Sequence, residues 1–257
     1  MAKVFLGCPT YDSRIDSLTA RRLFCTASQS HEVQVGDLSS SLLAQGCNSL
    51  LALALNGGYE WFSLLHTDIA PEPFWIDKLI AEALRCGTDM LSAVVPIKNF
   101  SGATSTAIPL APATAGTRQF LRLTMAQIYH PDFPVTFDID AAADALDCLP
   151  DPLAVHELPR LALWCNTGCF VCRLHRDWDW SQVCFRIDDG LERAANEWRD
   201  YNFPEDWYFS QAVADAGGKV MATKIVPLAH RGLIDFPAGV WGEPRDTGQR
   251  FGRFSIG

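Results

Sequence analysis

No stretch of this chain is apolar for long enough to cross a bilayer. The longest, Ser49 to Leu55, falls far short of the ~20 residues a membrane helix needs. Nor does a secretory signal open it: Met1-Ala2-Lys3 leads straight into a strand-like Val4-Phe5-Leu6, with no small-residue cleavage site. A cytoplasmic protein with no membrane partner is therefore expected. Bases are in the minority, 21 Lys and Arg against 30 Asp and Glu, and the formal net charge is −9. The chain is a poor candidate for wrapping long stretches of nucleic acid, since phosphate neutralisation needs clustered cations; a narrow basic groove stays compatible. Internal repeats and low-complexity tracts are missing. So are Gly-x-x-x-x-Gly-Lys-Ser/Thr, Gly-x-Gly-x-x-Gly and Gly-x-Ser-x-Gly, and with them the chemistries that depend on those loops.

What is present suits a globular enzyme-sized chain. At 257 residues, 48% of them apolar and 20% charged, it is long enough to bury roughly three quarters of its unfolded surface without staples. The nine cysteines are expected to be reduced and used as small apolar residues. Cys165-x3-Cys169-x2-Cys172, with His175 nearby, has the spacing of an iron–sulfur or zinc set. Cys169-Phe170-Val171-Cys172 reads as continuous strand, however, which sends the two cysteines to opposite faces.

Strand and helix patterns alternate through the first hundred residues. Strands are expected at Lys3–Gly7, His31–Val35, Trp61–Leu65 and Met90–Val95, and helices at Arg14–Cys25, Ser41–Asn56 and Phe74–Arg85. This order implies an α/β fold with a mostly parallel sheet flanked by helices. Ser101 to Pro159 is different: rich in Pro, Ala, Thr and Asp, with only Arg118 and Arg122 as bases. It reads as an irregular insertion with short strands near Gln119–Leu123 and Val135–Ile139 and a helix near Ala141–Cys148. A buried strand is expected over Leu161–Arg173, then a helix at Glu205–Ala216 ended by Gly217-Gly218, then a strand at Lys219–Val226. Trp241–Gly257 carries Arg245, Arg250 and Arg253 among glycines and reads as a mobile loop.

In open α/β sheets ligands bind beyond the carboxyl ends of the strands. There the sequence offers Pro9-Thr10-Tyr11-Asp12, His66-Thr67-Asp68, Pro96-Ile97-Lys98-Asn99 and His230-Arg231-Gly232. His66, Asp68 and His230 suit a divalent ion such as Mn²⁺ or Mg²⁺, with substrate phosphates filling the open positions. Alternatively Asp68 caps the turn before Pro71 and His66 ends its strand. Glu205-Asp206 at a helix start is either favourable charge on the helix dipole or a general base. The many tryptophans are expected mostly in the core.

Taken in order, these pieces resemble an inverting, family-2-like nucleotide-sugar glycosyltransferase of the GT-A fold. The resemblance covers Lys3–Lys98 and Leu161–Gly232. It lies in Pro9-Thr10-Tyr11, in Phe62 to Pro71 followed by Trp75-Ile76, in Asn166-Thr167-Gly168, in Pro204-Glu205-Asp206-Trp207-Tyr208-Phe209, and in the late His230. It implies that Pro9, Thr10, Tyr11 and Asp12 contact the nucleotide. His66-Thr67-Asp68 stands where the family has Asp-x-Asp, with Asp68 matching the second acid and His66 replacing the first. Asp68, His230 and His66 would then hold a Mn²⁺ or Mg²⁺ on the donor diphosphate. Lys98, Arg245 and Arg250, with Arg253, would add charge to the leaving group. Asp206, beside Glu205, would deprotonate the acceptor hydroxyl, and Trp207, Asn166 and Gly168 would line the acceptor pocket. The implied partner is a nucleoside-diphosphate sugar, a UDP-sugar first among them. The acceptor is open and includes hydroxymethylated bases of viral DNA, which would place the protein in an infected host cell. A non-catalytic nucleotide-sugar or glycan-binding module is the alternative from another class. A single domain over 1–257 is expected: a donor half at 1–100, the insertion at 101–160, an acceptor half at 161–240 and the tail at 241–257.

Overall fold

The computed structural model describes residues 1–110, 119–147, 162–175, 177–194, 197–232 and 235–239. Arg245, Arg250, Arg253 and Trp241 of the expected tail, and residues 111–118 and 148–160 of the expected insertion, lie outside the described residues. The elements in chain order are β1 (Lys3–Thr10), α1 (Ser17–Phe24), β2 (Glu32–Ser39), α2 (Leu43–Asn56), β3 (Trp61–Leu65), β4 (Ile69–Pro71), α3 (Trp75–Cys86), β5 (Met90–Ala93), β6 (Ala103–Leu110) and β7 (Gln119–Thr124). They continue with α4 (Met125–Ile128), β8 (Thr136–Phe137), α5 (Ile139–Asp147), β9 (Cys169–Arg173), β10 (Asp188–Ala194), β11 (Glu197–Phe203), α6 (Glu205–Asp215), β12 (Val220–Thr223), β13 (Leu228–Arg231) and β14 (Asp235–Pro237).

Among the described residues the main sheet has seven strands in the order β2-β1-β3-β9-β5-β12-β8. β1 is parallel to β2 and β3, and β5 is parallel to β12. β9 runs antiparallel between β3 and β5, and β8 closes the edge antiparallel to β12. The result is the expected α/β domain, Rossmann-like, with a mostly parallel sheet between helices. Alternation along the strands sorts the core into two faces. Phe62, Leu64, Phe170 and Cys172 pack with Leu50 of α2, Leu146 of α5 and Phe209 of α6. Trp61, Leu65, Cys169 and Val171 pack with Leu23 of α1 and Trp75, Ile76 and Leu79 of α3. Cys169 and Cys172 thus face opposite ways, and Cys8, Cys47, Cys165, Cys169 and Cys172 are buried free thiols. Among the described residues no helix is long and apolar enough to cross a membrane.

Local chemistry explains the element ends. Asp16 caps α1, its carboxylate accepting from the Leu18 and Thr19 N–H groups; the helix therefore starts later than the apolar pattern from Arg14 suggests. α3 ends at Gly87, φ 60°, where Thr88 N–H reaches Ala83 O at 3.0 Å and Gly87 N–H reaches Leu84 O at 3.4 Å, a Schellman ending.

Two expectations need correction, and one short strand is unforeseen. β1 does not stop at Gly7: its pairing with β2 continues through Cys8↔Asp37, Pro9↔Leu38 and Thr10↔Ser39. β3 ends at Leu65 as expected, and the following Ile69–Pro71 forms a short antiparallel pair with β13 that the sequence does not suggest. The buried strand expected from Leu161 starts only at Cys169. Before it, Trp164 exchanges backbone hydrogen bonds with Ala107 at 2.9 and 3.0 Å, and Asn166 Oδ1 accepts the Gly168 N–H at 2.7 Å. That side-chain turn replaces strand pairing. Because β9 is antiparallel, the Asn166–Gly168 turn lies at the carboxyl ends of β3 and β5.

Candidate active site

Two groups of polar side chains share this edge of the sheet. The first is built where β3 ends. His66 N–H donates to Gly168 O at 2.9 Å, Ile69 N–H returns to His66 O at 3.1 Å, and Arg231 N–H donates to Asp68 O at 2.6 Å. Pairing of His230 with Ile69 across β13 and β4 then sets His230 Nε2 3.5 Å from Asp68 Oδ2. The Lys98 ammonium bonds the same oxygen. Partial burial opposes ionisation of Asp68, but hydrogen bonds and charge from His230 and Lys98 hold its carboxyl well below the usual carboxylate range. His66 lies close enough to feel these charges, and burial pushes its imidazole down to about 4, so it is neutral at neutral pH. Its Nε2 is buried with no hydrogen-bond partner.

Beside Asp68 opens a cleft of about 420 Å³ lined by Asp12, Arg14, Ile15, Asp16, Thr67, Asp68, Arg231 and Gly232. Asp16 organises it: its N–H donates to Thr67 O at 2.9 Å and its carboxylate pairs with Arg231 Nε at 3.5 Å. The sequence places Arg231 at the ligand edge without a specific role and singles out neither Arg14 nor Asp16. Arg231 is adjacent to a residue that it does assign, and the position of Asp16 as helix cap is its only signal. Of the expected nucleotide contacts, Asp12 lines this cleft, as does Thr67 of the His66-Thr67-Asp68 motif. Pro9 is buried in β1, Thr10 is buried with its Oγ1 unpartnered, and Tyr11 is 77% exposed.

The second group surrounds the start of α6. Asp206 is buried; its Oδ1 accepts the Trp207 N–H at 2.9 Å and its Oδ2 accepts from Asn166 Nδ2 at 3.1 Å. Burial, then the neighbouring Glu205 charge, pushes its carboxyl up to about 7 against the pull of the Trp207 N–H, Arg122 and Asn166. The helix N-terminus, which alone would favour ionisation, loses to desolvation. Burial also raises the Glu205 carboxyl. Trp207 is 1% exposed, so it does not line an open pocket as expected. It stacks on Trp164 at 5.2 Å, packs against Phe120 and Phe203 and donates from Nε1 to Ser105 O at 2.8 Å. Arg122 covers it, 4.3 Å above its ring. In the sequence Arg122 is only an isolated base, and nothing local in the chain ties β7 to α6.

One turn joins the two groups. Asn166 holds Asp206 with its amide and Gly168 N–H with its carbonyl, and Gly168 O holds His66. A Cβ on Gly168 would come within 2.5 Å of Ile69 Cδ1, 2.8 Å of Asn166 Oδ1 and 3.0 Å of His66 Nδ1, so any side chain there displaces the groups that build the site. Of the three residues expected to hold a metal, two lie side by side. Asp68 and His230 face one another, and among the described residues no three His, Cys, Asp or Glu side chains form a ready ligand set. The pair suits a cation all the same. His230 Nδ1 is 2.7 Å from Pro96 O, which can only accept, so Nδ1 is the donor there and Nε2 is the ring nitrogen turned toward Asp68 Oδ2. A backbone carbonyl orienting the far nitrogen is the usual support of a metal-ligating histidine.

No protein-family model matches this chain, and no curated protein matches it. Among solved structures it is similar to A197 from STIV, with a TM-score of 0.46 and 13% identity over 90% of this chain and 85% of that one. It is also similar to mannose-1-phosphate geranyltransferase from Thermus thermophilus, with a TM-score of 0.31 and 12% identity over 67% of this chain and 58% of that one. Both are distant likenesses.

Proposed function

We propose that this protein is a glycosyltransferase that moves a sugar from a nucleoside-diphosphate sugar to an acceptor hydroxyl with inversion. The observation that carries the reading is the Asn166–Gly168 turn, which ties a buried aspartate of raised pKa to a carboxylate–imidazole–ammonium group at the carboxyl edge of the sheet. The donor diphosphate lies in the cleft beside Asp68, with Lys98 and Arg231 within its reach. Asp68 and His230 would hold a Mn²⁺ or Mg²⁺, which when bound supplies positive charge to the departing diphosphate. Asp206 takes the proton as the acceptor O–H bond breaks. The acceptor oxygen bonds to the anomeric carbon from the face opposite the phosphate, and the old carbon–oxygen bond leaves its electron pair on the diphosphate. Asn166 keeps Asp206 oriented, and Trp207 with Arg122 keeps water from its rear side.

Thermal unfolding with a panel of nucleoside diphosphates and their sugars, each with Mn²⁺, Mg²⁺ or chelator, tests the donor. A ligand at a hundred times its dissociation constant adds about 2.7 kcal/mol, a readable shift. For the chemistry, Asp206→Asn is expected to lower donor turnover about 10²–10⁴-fold while leaving the nucleotide-induced shift intact. Full turnover in that variant removes Asp206 from the mechanism. A nucleotide shift without turnover by the wild-type protein on any acceptor or on water would identify a binding module instead.

A further inference from the structure

We propose that Lys98 is a resident cation of this site: it holds Asp68 while no divalent ion is bound, yields the carboxylate when one arrives, and turns to the donor's phosphate. This rests on the metal pair of the preceding reading.

The contested atom is Asp68 Oδ2. His230 Nε2 faces it at 3.5 Å, and the Lys98 ammonium bonds it. A divalent ion ligated by this oxygen and by His230 Nε2 would sit beside the ammonium, and two positive centres at that separation repel strongly in a partly buried site. The ion and Lys98 therefore compete for this oxygen.

The segment that leaves β5 is built to separate these roles. Pro96 O fixes His230, and the main chain beyond is pinned: Ile97 N–H donates to Ala103 O at 2.9 Å, Asn99 N–H to Ile97 O at 2.8 Å, and Ser101 N–H to Asn99 Oδ1 at 3.0 Å. The Lys98 side chain is 39% exposed. Its four-carbon stem can swing without disturbing the carbonyl that orients His230. An anion arriving beside Asp68 gives the released ammonium a new partner, so ion and diphosphate assist one another's binding. Without the anion, Lys98 suppresses ion binding and keeps the carboxylate neutralised.

The test is a titration of Mn²⁺ alone, read by the electron paramagnetic resonance of the free ion, on wild type, Lys98→Gln, Lys98→Arg and Asp68→Asn. A parallel titration with UDP in chelator uses the first two. Lys98→Gln is expected to bind Mn²⁺ at least about tenfold more tightly than wild type. Lys98→Arg, whose fork grips a carboxylate with two bonds, is expected to bind more weakly than wild type. UDP binding without metal is expected to weaken in Lys98→Gln. If Lys98→Gln binds Mn²⁺ no better than wild type while Asp68→Asn loses it, the resident-cation role is overturned and the metal pair stands. If UDP binding in chelator is unchanged by Lys98→Gln, the phosphate role is overturned. If no variant binds Mn²⁺, or Asp68→Asn binds it like wild type, the metal pair fails and this inference with it.

Discussion

Asp206 is stabilised by one set of neighbours in its charged form and by its surroundings in the neutral form. Glu205, Arg122, Cys47 and Cys165 are the titratable groups that influence it or feel it, and burial outweighs them. With the carboxyl pushed up to about 7, the reading as a base requires the rate to climb with pH through about 7 and level off above it. A pH profile of kcat/KM on the donor checks this, and a flat profile between pH 5 and 8 excludes it. The same raised value bears on stability. The folded protein holds this proton more tightly than the unfolded chain, whose aspartates titrate near ~3.9. Stability is therefore lost as pH rises from the unfolded value to the folded one. Urea unfolding should show this component as about 2.5 kcal/mol lost between pH 5 and pH 8. In Asp206→Asn that slope should flatten by the same amount. The Asn166 amide facing the new side chain shifts the absolute stability of the variant but not its slope. None of this was legible in Pro204-Glu205-Asp206-Trp207, where an acid pair at a helix start reads as an ordinary dipole partner. What surrounds it comes from far along the chain: Asn166 bonds it across 40 residues, and the Arg122 charge acts on it from β7.

At the scale of elements, the Asn166–Gly168 turn concentrates the most consequence in the fewest residues. Gly168→Ala places a methyl 2.5 Å from Ile69 Cδ1 and forces the turn away from β4. Overpacking of this kind costs about 1–3 kcal/mol. Activity should fall by much more than that loss explains, since the displaced Asn166 and His66 belong to both halves of the site; turnover compared with the urea midpoint separates the two effects. Gly87→Ala is the contrasting control. Nothing lies within 4 Å of the added methyl, but φ is +60°, so the cost is conformational, about 1 kcal/mol. That is a shift of about 2–4 °C in Tm at this chain length, with activity unchanged at 25 °C. Gly87 was readable as a helix stop because the apolar period ends one residue before it. β4 was not readable, because a strand of three residues with a proline is held only by its partner, β13, more than 150 residues later.

For the molecule as a whole, the alternation of strand and helix patterns was enough to anticipate the fold class, since parallel strands buried on both faces, such as Trp61–Leu65, announce themselves as short apolar runs. The direction of β9 was not available from pattern, and it is that reversal which delivers a loop to the ligand edge. The net charge of −9 adds one expectation at this scale. Unmodified duplex DNA should not be retained by the full chain at physiological salt, because non-specific binding draws its energy from neutralised phosphates. Tight, salt-sensitive retention in a shift assay would instead point to DNA as the acceptor.

The buried thiols turn the fold into a map of its own opening. Burial, with the Asp37 and Asp68 charges, pushes the Cys8 thiol up to about 12, and burial raises Cys47, Cys165, Cys169 and Cys172 as well, while Cys25 is exposed. Alkylation requires thiolate, so a maleimide reagent should mark Cys25 within the mixing time and reach the others only when their part of the chain unlatches. Cys8 reports on β1, Cys47 on α2, Cys165 on the approach to the site turn, and the pair in β9 on the middle of the sheet. Mass spectra taken at intervals would rank these regions by how often they breathe, and a ligand that slows labelling at Cys165 alone would locate its own binding site.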